Sequence, residues 1–363
     1  MKKVLVLTHE YFPFAGGVAM YCYNLFKNFL LENYLVASDC PELKNQNNNV
    51  KIKLVSPYVW PHWLFGLLTV ARLVKQHKIA VIFTPNILPL GSIAYFIKKI
   101  FHIPYIISLH GLDINLALQN KPVWTKKILL SAQAIVCNTR YTSGLIKDLV
   151  PADKVNVIYP NISINSKNIS AEQIESIKEK SNVGSAKIIL TVGRLVERKG
   201  HTLVIEALKA MLDLDCKYWI VGDGPNRANL EKQVIDNNLS EKVFFWGKVA
   251  TEDLPLFYQT ADLFVLPNQQ IGTDVEGFGM VFLEAASFGL PIIAGFSGGV
   301  KEIFTGNGDV CYADNSQDIA VAIRDLLTDE KKAASYGQQA YLVSEKFKNK
   351  QAESIKLLER IIG

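Results

Sequence analysis

Short apolar runs alternate with longer amphipathic stretches along the whole chain, and this rhythm restricts the fold more than any single motif. Val4-Leu-Val-Leu, Val50-Lys-Ile-Lys-Leu-Val, Ala80-Val-Ile-Phe, Tyr105-Ile-Ile-Ser-Leu and Ala134-Ile-Val-Cys read as strands, each followed by a helical pattern. A second series begins at Lys187-Ile-Ile-Leu-Thr-Val and runs through Tyr218-Trp-Ile-Val, Val243-Phe-Phe-Trp, Leu263-Phe-Val-Leu and Pro291-Ile-Ile-Ala. Apolar strands spaced by helices are what parallel sheets covered on both faces require. With 363 residues, two doubly wound α/β domains are expected. The break falls after Val157-Ile-Tyr-Pro-Asn161, because residues 161–186 are polar and carry no strand pattern. The expected division is 1–165 and 166–344, with a last helix at roughly 335–360 whose end, about 345–363, can return to the first domain.

Five scattered cysteines, with no Cys-x2-Cys pair, suggest neither a disulfide framework nor a zinc site, so a reducing, cytoplasmic setting is expected. The N-terminal apolar run stops at His9-Glu10, too early for a signal peptide, and no apolar run reaches the roughly 20 residues of a membrane span. Charge is uneven: residues 1–150 hold 16 Lys and Arg against 6 Asp and Glu, a net of +10, while the remainder carries −5. The basic half also contains Tyr58-Val-Trp-Pro-His-Trp-Leu-Phe and Tyr95-Phe-Ile-Lys-Lys-Ile-Phe. Aromatic residues beside lysines suit an anionic membrane surface, although core helices with solvated lysines are the favoured reading of them. Only two arginines precede residue 150, which argues against nucleic acid as a partner.

Ligands of open parallel sheets bind beyond the carboxyl ends of the strands, so the residues there are the candidates. After the first strand, Gly16 and Gly17 allow close approach to an anion or a sugar, although a plain turn explains them as well. They do not form Gly-x-Gly-x-x-Gly, and the chain has no Gly-x4-Gly-Lys-Ser/Thr, which weighs against dinucleotide and ATP sites. His110 and Asp113 follow the strand 105–109 and can contact hydroxyls or exchange a proton. Arg194 and Lys199 follow the first strand of the second half; a guanidinium and an ammonium there can neutralise a diphosphate. Gly222 lies in the turn Val221-Gly-Asp-Gly-Pro225, suited to backing a base or ribose. In Glu276-Gly-Phe-Gly-Met-Val-Phe-Leu-Glu284, one carboxylate lies in a glycine-bounded loop and the next on the following helix. The N–H groups at that helix start, with Phe278 and Gly279 just before it, can face a phosphate. Asp213-Leu-Asp215 has metal-binding spacing but precedes a strand, on the wrong face, so no metal role is expected for it.

Together these residues resemble the retaining glycosyltransferases of the GT-B fold, family 4, also called group 1. Gly16-Gly17, His110-Gly111, Val157-Ile-Tyr-Pro-Asn161, Gly193-Arg194 with Lys199-Gly200, Gly222-Asp-Gly-Pro225, Glu276-Gly-Phe-Gly with Glu284-Ala, Gly289-Leu-Pro and Gly298-Gly-Val-Lys-Glu302 stand in family order. The resemblance implies two Rossmann-like domains facing a central cleft, the donor held mainly by the second. It implies Arg194 and Lys199 on the diphosphate, Glu284 on the ribose, and Glu276 on the sugar, helped by Phe278 and Gly279. Gly17 would approach the phosphates and His110 would face the sugar. Retention would proceed without a dedicated protein base, metal or other cofactor, the nucleotide sugar being a substrate. The stretch Gly272-Thr-Asp274-Val-Glu276-Gly-Phe-Gly is most similar to bacterial α-mannosyltransferases that use GDP-mannose; UDP-sugars remain open. Asn268-Gln269-Gln270 departs from the Pro-Ser type start usual before the first glutamate. The expected acceptor is a glycan or a lipid-linked sugar of envelope polysaccharide or glycolipid synthesis, reached by a cytoplasmic enzyme peripheral to the membrane. The rival readings are a nucleotide-sugar epimerase and a non-catalytic nucleotide-sugar-binding partner.

Overall fold

The computed structural model describes residues 2–14, 16–45, 48–161, 164 and 169–363. Two compact units are present, Met1–Asn161 with Asn349–Gly363, and Ile162–Lys348. The expected boundary at 165/166, and with it part of the expected connecting segment, lies outside the described residues.

The first unit is a seven-stranded sheet of β1 (Val4–Thr8), β2 (Tyr34–Ser38), β3 (Asn49–Lys51), β4 (Val81–Thr84), β5 (Tyr105–Leu109), β6 (Ala134–Cys137) and β7 (Val155–Val157). Every pairing is parallel, and the order is β3-β2-β1-β4-β5-β6-β7. Strand side chains alternate between faces, so one apolar run supplies two cores. Leu5, Leu7, Ile82 and Ile107 enter the core on one side, while Val4, Val6, Phe83 and Ile106 enter the core on the other. This is why the strands read as continuous apolar runs instead of alternating ones. Two strands of this unit, β2 and β7, escaped the sequence reading, as did the strand Cys311–Tyr312 of the second unit. β2 contains Ala37 and Ser38 and β7 is a three-residue, half-buried strand at the sheet edge, so neither has a strong apolar signature. Conversely, the run 50–55 forms a strand only over Asn49–Lys51.

The second unit has six parallel strands, β8 (Lys187–Val192), β9 (Cys216–Val221), β10 (Val243–Gly247), β11 (Leu263–Leu266), β12 (Ile292–Ala294) and β13 (Cys311–Tyr312). Their order, β10-β9-β8-β11-β12-β13, repeats the scheme of the first unit. Ile189, Ile220, Val265 and Ile293 fill one core. Trp219 and Phe264, fully buried, pack against Phe257 and Phe282 respectively. In both sheets the chain winds outward one way and then returns to wind the other. That leaves a switch point between β1 and β4 in the first unit and between β8 and β11 in the second.

The last helix runs from Glu330 to Ile362, and Leu358 and Ile362 are fully buried in the first unit's core. The segment 157–161 is tied to the helix Gly17–Phe26: the Tyr21 hydroxyl donates to the Ile158 carbonyl at 2.9 Å, and the Asn24 amide donates to the Asn161 carbonyl at 3.2 Å. Among the described residues no helix is long and apolar enough to cross a membrane.

Candidate active site

At the second unit's switch point, three close backbone approaches bring together side chains from distant parts of the sequence. Gly200 has φ +71°, and a Cβ there would lie 2.3 Å from the Pro267 carbonyl oxygen, so only glycine lets the turn after β8 lie against the exit of β11. The Gln269 N–H then donates to the Arg198 carbonyl at 2.7 Å. On the other side, Gly298 (φ +55°) would place a Cβ 2.2 Å from the Glu276 carbonyl oxygen, which accepts from the Gly299 N–H at 2.9 Å. Glu276 is thereby fixed by its backbone before its side chain makes any contact.

The Glu276 carboxylate is held by two cations. Lys199 Nζ donates to Oε2 at 2.5 Å and Arg198 donates to the same oxygen at 2.8 Å. Arg198 Nε also lies 2.9 Å from Asp274 Oδ1, an ion pair too poorly angled to count as a hydrogen bond. The cluster is thus two cations and two carboxylates, with no net charge. Burial alone pushes the Glu276 carboxyl upward, but Lys199 and Arg198 overcome it and hold the group at about 2, ionised at every working pH.

The neighbouring carboxylate behaves oppositely. Glu284 lies one turn inside the helix Met280–Ser287, and burial raises it to about 7, against the lowering effect of the Tyr258 hydroxyl that donates to Oε2 at 2.8 Å. No other side-chain partner is found for it among the described residues, so Oε1 is free for a ligand. Gly279, at φ +89°, opens this helix with no side-chain cap among the described residues; the Phe282 N–H bonds the Gly279 carbonyl at 3.1 Å, so the N–H groups before it, of Met280 and Val281, are the ones a ligand could take. A Cβ at Gly279 would strike the Phe282 ring at 2.7 Å. Phe278 is buried and packs on Phe347, centroids 5.7 Å apart, so its side chain is taken up in packing.

Of the two cations read as diphosphate ligands, Lys199 is buried on Glu276, whereas Arg194 is exposed with no ion-pair partner among the described residues. The cation that the sequence reading passed over is Arg198. In the sequence it is marked only by adjoining Lys199; that both cations face Asp274 and Glu276 is seen only in the fold. Gly222 has a packing reason: a Cβ would lie 2.0 Å from the Gly193 carbonyl oxygen. Beneath the cluster, Asn268 and His201 are buried, and their side-chain polar atoms have no partner among the described residues. Burial and nearby Lys199 hold His201 down at about 3, hence neutral. Asp213 makes a two-pronged pair with Arg324, at 2.7 and 2.8 Å, and no metal-binding cluster occurs among the described residues.

In the first unit, Gly16 precedes the helix Gly17–Phe26 in extended conformation, and a Cβ there would meet the Phe14 ring at 2.7 Å. That helix too has no side-chain cap among the described residues. His110 follows β5, its ring edge-on to Tyr21 at 4.9 Å and its Nε2 3.3 Å from Ser108 Oγ; burial lowers it to about 4. Asp113 Oδ1 accepts the His110 backbone N–H at 2.9 Å, and Oδ2 is buried without a partner among the described residues. Burial raises this carboxyl to about 6 against several backbone N–H bonds. The basic, aromatic stretch divides in two. Tyr95 and Trp124 form part of an interior aromatic cluster, whereas Tyr58 and Trp60 are 90% and 85% exposed, beside exposed Phe65 and Leu68.

Two family models match the chain in sequence: Glycosyltransferase Family 4 over residues 15–165 and Glycosyl transferases group 1 over residues 173–343. A similar curated protein is the GDP-mannose-dependent alpha-(1-6)-phosphatidylinositol monomannoside mannosyltransferase of Mycolicibacterium smegmatis, 27% identical over 92% of this chain and 91% of that one. Among solved structures, Anabaena HepE in complex with UDP and glucose superposes with a TM-score of 0.83 at 19% identity, covering 98% of this chain and 100% of that one. A glycosyltransferase from Rickettsia africae gives 0.83 at 19% identity and 99% coverage of both chains.

Proposed function

The chain belongs to glycosyltransferase family 4, the group 1 glycosyl transferases of the GT-B fold, and from that premise we propose that it transfers mannose from GDP-mannose with retention of configuration. Movement of a hexose from a nucleotide sugar follows from the family; the sugar, base, stereochemistry and acceptor are our reading. The observation that carries it is the Glu276 carboxylate, kept ionised between Lys199 and Arg198 beside a helix that opens, uncapped, at Gly279.

In this reading the diphosphate takes the uncapped helix start, and Lys199 turns from Glu276 to a phosphate oxygen while Arg198 keeps its hold on the carboxylate. Arg194, exposed and without an ion-pair partner among the described residues, is the second phosphate ligand. Glu284 Oε1 accepts ribose hydroxyls, and Glu276 accepts hydroxyls of the sugar. The acceptor oxygen attacks the anomeric carbon on the face from which the diphosphate departs. The carbon–phosphate oxygen bond breaks, its electron pair passes to the diphosphate, and a phosphate oxygen takes the acceptor proton. Cations and backbone N–H groups that stabilise the departing diphosphate supply most of the catalysis, and no bound metal is required.

Mannose is favoured by the mannosyltransferase names of the relatives and by the Asp274-Val-Glu276-Gly-Phe-Gly stretch. A lipid-linked acceptor at an anionic membrane is favoured by exposed Tyr58, Trp60, Phe65 and Leu68 together with the basic balance of residues 1–150. The test is a donor screen: purified protein, detergent-solubilised lipid extract, and separate GDP- and UDP-sugars, following nucleoside diphosphate release. Release from GDP-mannose that depends on extract supports the reading. Release confined to a UDP-sugar overturns the mannose assignment, and activity retained by Glu276→Ala overturns the site.

A further inference from the structure

The first unit has its own switch point, and it holds a set of polar side chains unlike the paired charges of the second. In the parallel register Thr8 lies beside Ser38, and Val6 beside Phe83. Continuing both registers past the strand ends sets His9 level with Asp39 on one side and with Asn86 on the other. The side chains confirm that alignment: His9 Nδ1 lies 2.8 Å from Asp39 Oδ1, and the His9 backbone N–H reaches Asn86 Oδ1 at 3.4 Å. Asn86 is itself positioned by the Thr84 hydroxyl, which donates to its carbonyl at 3.2 Å. All three residues are partly exposed, so a solute can reach them.

We propose that His9, Asp39 and Asn86 form a hydroxyl-binding site for a sugar or polyol, the acceptor's subsite on this unit. A carboxylate oxygen can only accept, so Nδ1 carries the proton in the bond to Asp39, and Nε2, when it bears none, is an acceptor. Asp39 Oδ2 is a second acceptor, and the Asn86 amide, its oxygen occupied, offers two N–H donors. None of these atoms has a side-chain partner among the described residues. Two acceptors and a pair of donors on one strand-end level match adjacent hydroxyls, each of which both donates and accepts. A phosphate is poorly served, because the Asp39 carboxylate repels it. The site's role as acceptor subsite rests on the transferase reading; its existence as a polyol site rests only on the geometry of this unit.

The test separates the two. Imidazole resonances of the 13C-histidine-labelled protein are followed while methyl α-D-mannopyranoside or, separately, myo-inositol is titrated; His9 is assigned by His9→Gln. A saturable shift of the His9 signal, absent in Asp39→Ala and weakened in Asn86→Ala, is expected, and the more effective solute tells a sugar from a cyclitol. A His9 signal that neither solute moves overturns the proposal. In turnover, the same variants are expected to raise the acceptor KM about tenfold, the effect of one lost hydroxyl bond, with the donor KM little changed. An acceptor KM equal to that of the wild type also overturns it. A donor screen without transfer takes away the site's support as an acceptor subsite, and the NMR result still decides whether the polyol site exists.

Discussion

The two units repeat one strand order and open one kind of crevice, yet they furnish it in opposite ways. At the second switch point Arg198, Lys199, Asp274 and Glu276 form a neutral knot of ions, its three innermost side chains only 11–15% exposed. At the first, His9, Asp39 and Asn86 form a looser polar set open to solvent. The difference teaches what each crevice can hold. A knot with one exchangeable cation can admit a diphosphate without leaving a buried charge uncompensated. A polar set that contains the Asp39 carboxylate and no paired cation to spare repels a phosphate, and it suits hydroxyls. Substitutions in the second unit should therefore act on rate and pH dependence, and those in the first on acceptor affinity and surface contact.

The largest effect should come from Glu276. Glu276→Ala is expected to lower turnover by about 10²–10³, the effect of removing one transition-state contact. It should still bind nucleoside diphosphate at least as tightly as wild type, because Lys199 and Arg198 then lack an anion. Calorimetric titration together with steady-state rates checks this, and lost binding with lost rate would break the contrast between the two crevices.

Arg198→Ala should come next, with about a tenfold fall in rate from a misplaced carboxylate and a loss of about 3 kcal/mol in stability from leaving Glu276 one partner short. The sign of the pH effect is fixed. Glu276 is depressed from 4.5 to about 2 in the folded protein, so its contribution is complete above 4.5 and disappears as pH falls toward 2. Without Arg198 the folded value rises, and the acid limb of the pH–rate profile should move to higher pH. Arg198→Lys should restore part of both.

Glu284 sharpens the comparison in the other direction. Its carboxyl is raised from 4.5 to about 7, so ionising it costs the unliganded fold stability as pH rises between those values. Glu284→Gln is expected to melt no differently from wild type below pH 4.5 and higher above pH 7, while binding nucleotide more weakly. Equal melting temperatures at pH 8 would remove the argument that this carboxyl is poised for ribose hydroxyls. The smallest effect belongs to the first unit's surface. Trp60→Ala, at an exposed position, should change stability by less than about 0.5 kcal/mol and yet reduce salt-sensitive sedimentation with anionic vesicles.

How much of this was legible depends on the kind of residue. Glycines that a Cβ would drive into a carbonyl, Gly200, Gly222 and Gly298, mark the second unit's loops in the sequence because no other residue fits there. Charged residues beside them, Lys199 and Glu276, could be picked out with them. Arg198 could not be ranked above Arg194 from the sequence, since both follow β8 and only the fold shows which one reaches the acids. His9, Asp39 and Asn86 have no glycine signature and lie 30 and 47 residues apart along the chain, so nothing local links them. The strands β2 and β7 were missed for a related reason: small or half-buried residues carry little periodic signal, and it is pairing with β1 and β6 that makes them strands.

By itself the sequence determined the parallel α/β architecture, because fully apolar strands between amphipathic helices have no other way to bury both faces. It also determined which loops carry glycines and charges. Tertiary structure alone decided which charges meet, that Glu276 stays ionised while Glu284 is raised, and that an imidazole, a carboxylate and an amide stand level at one sheet end. Those outcomes depend on burial and on distances of a few ångströms between strands, which winding and register set and which no stretch of sequence contains.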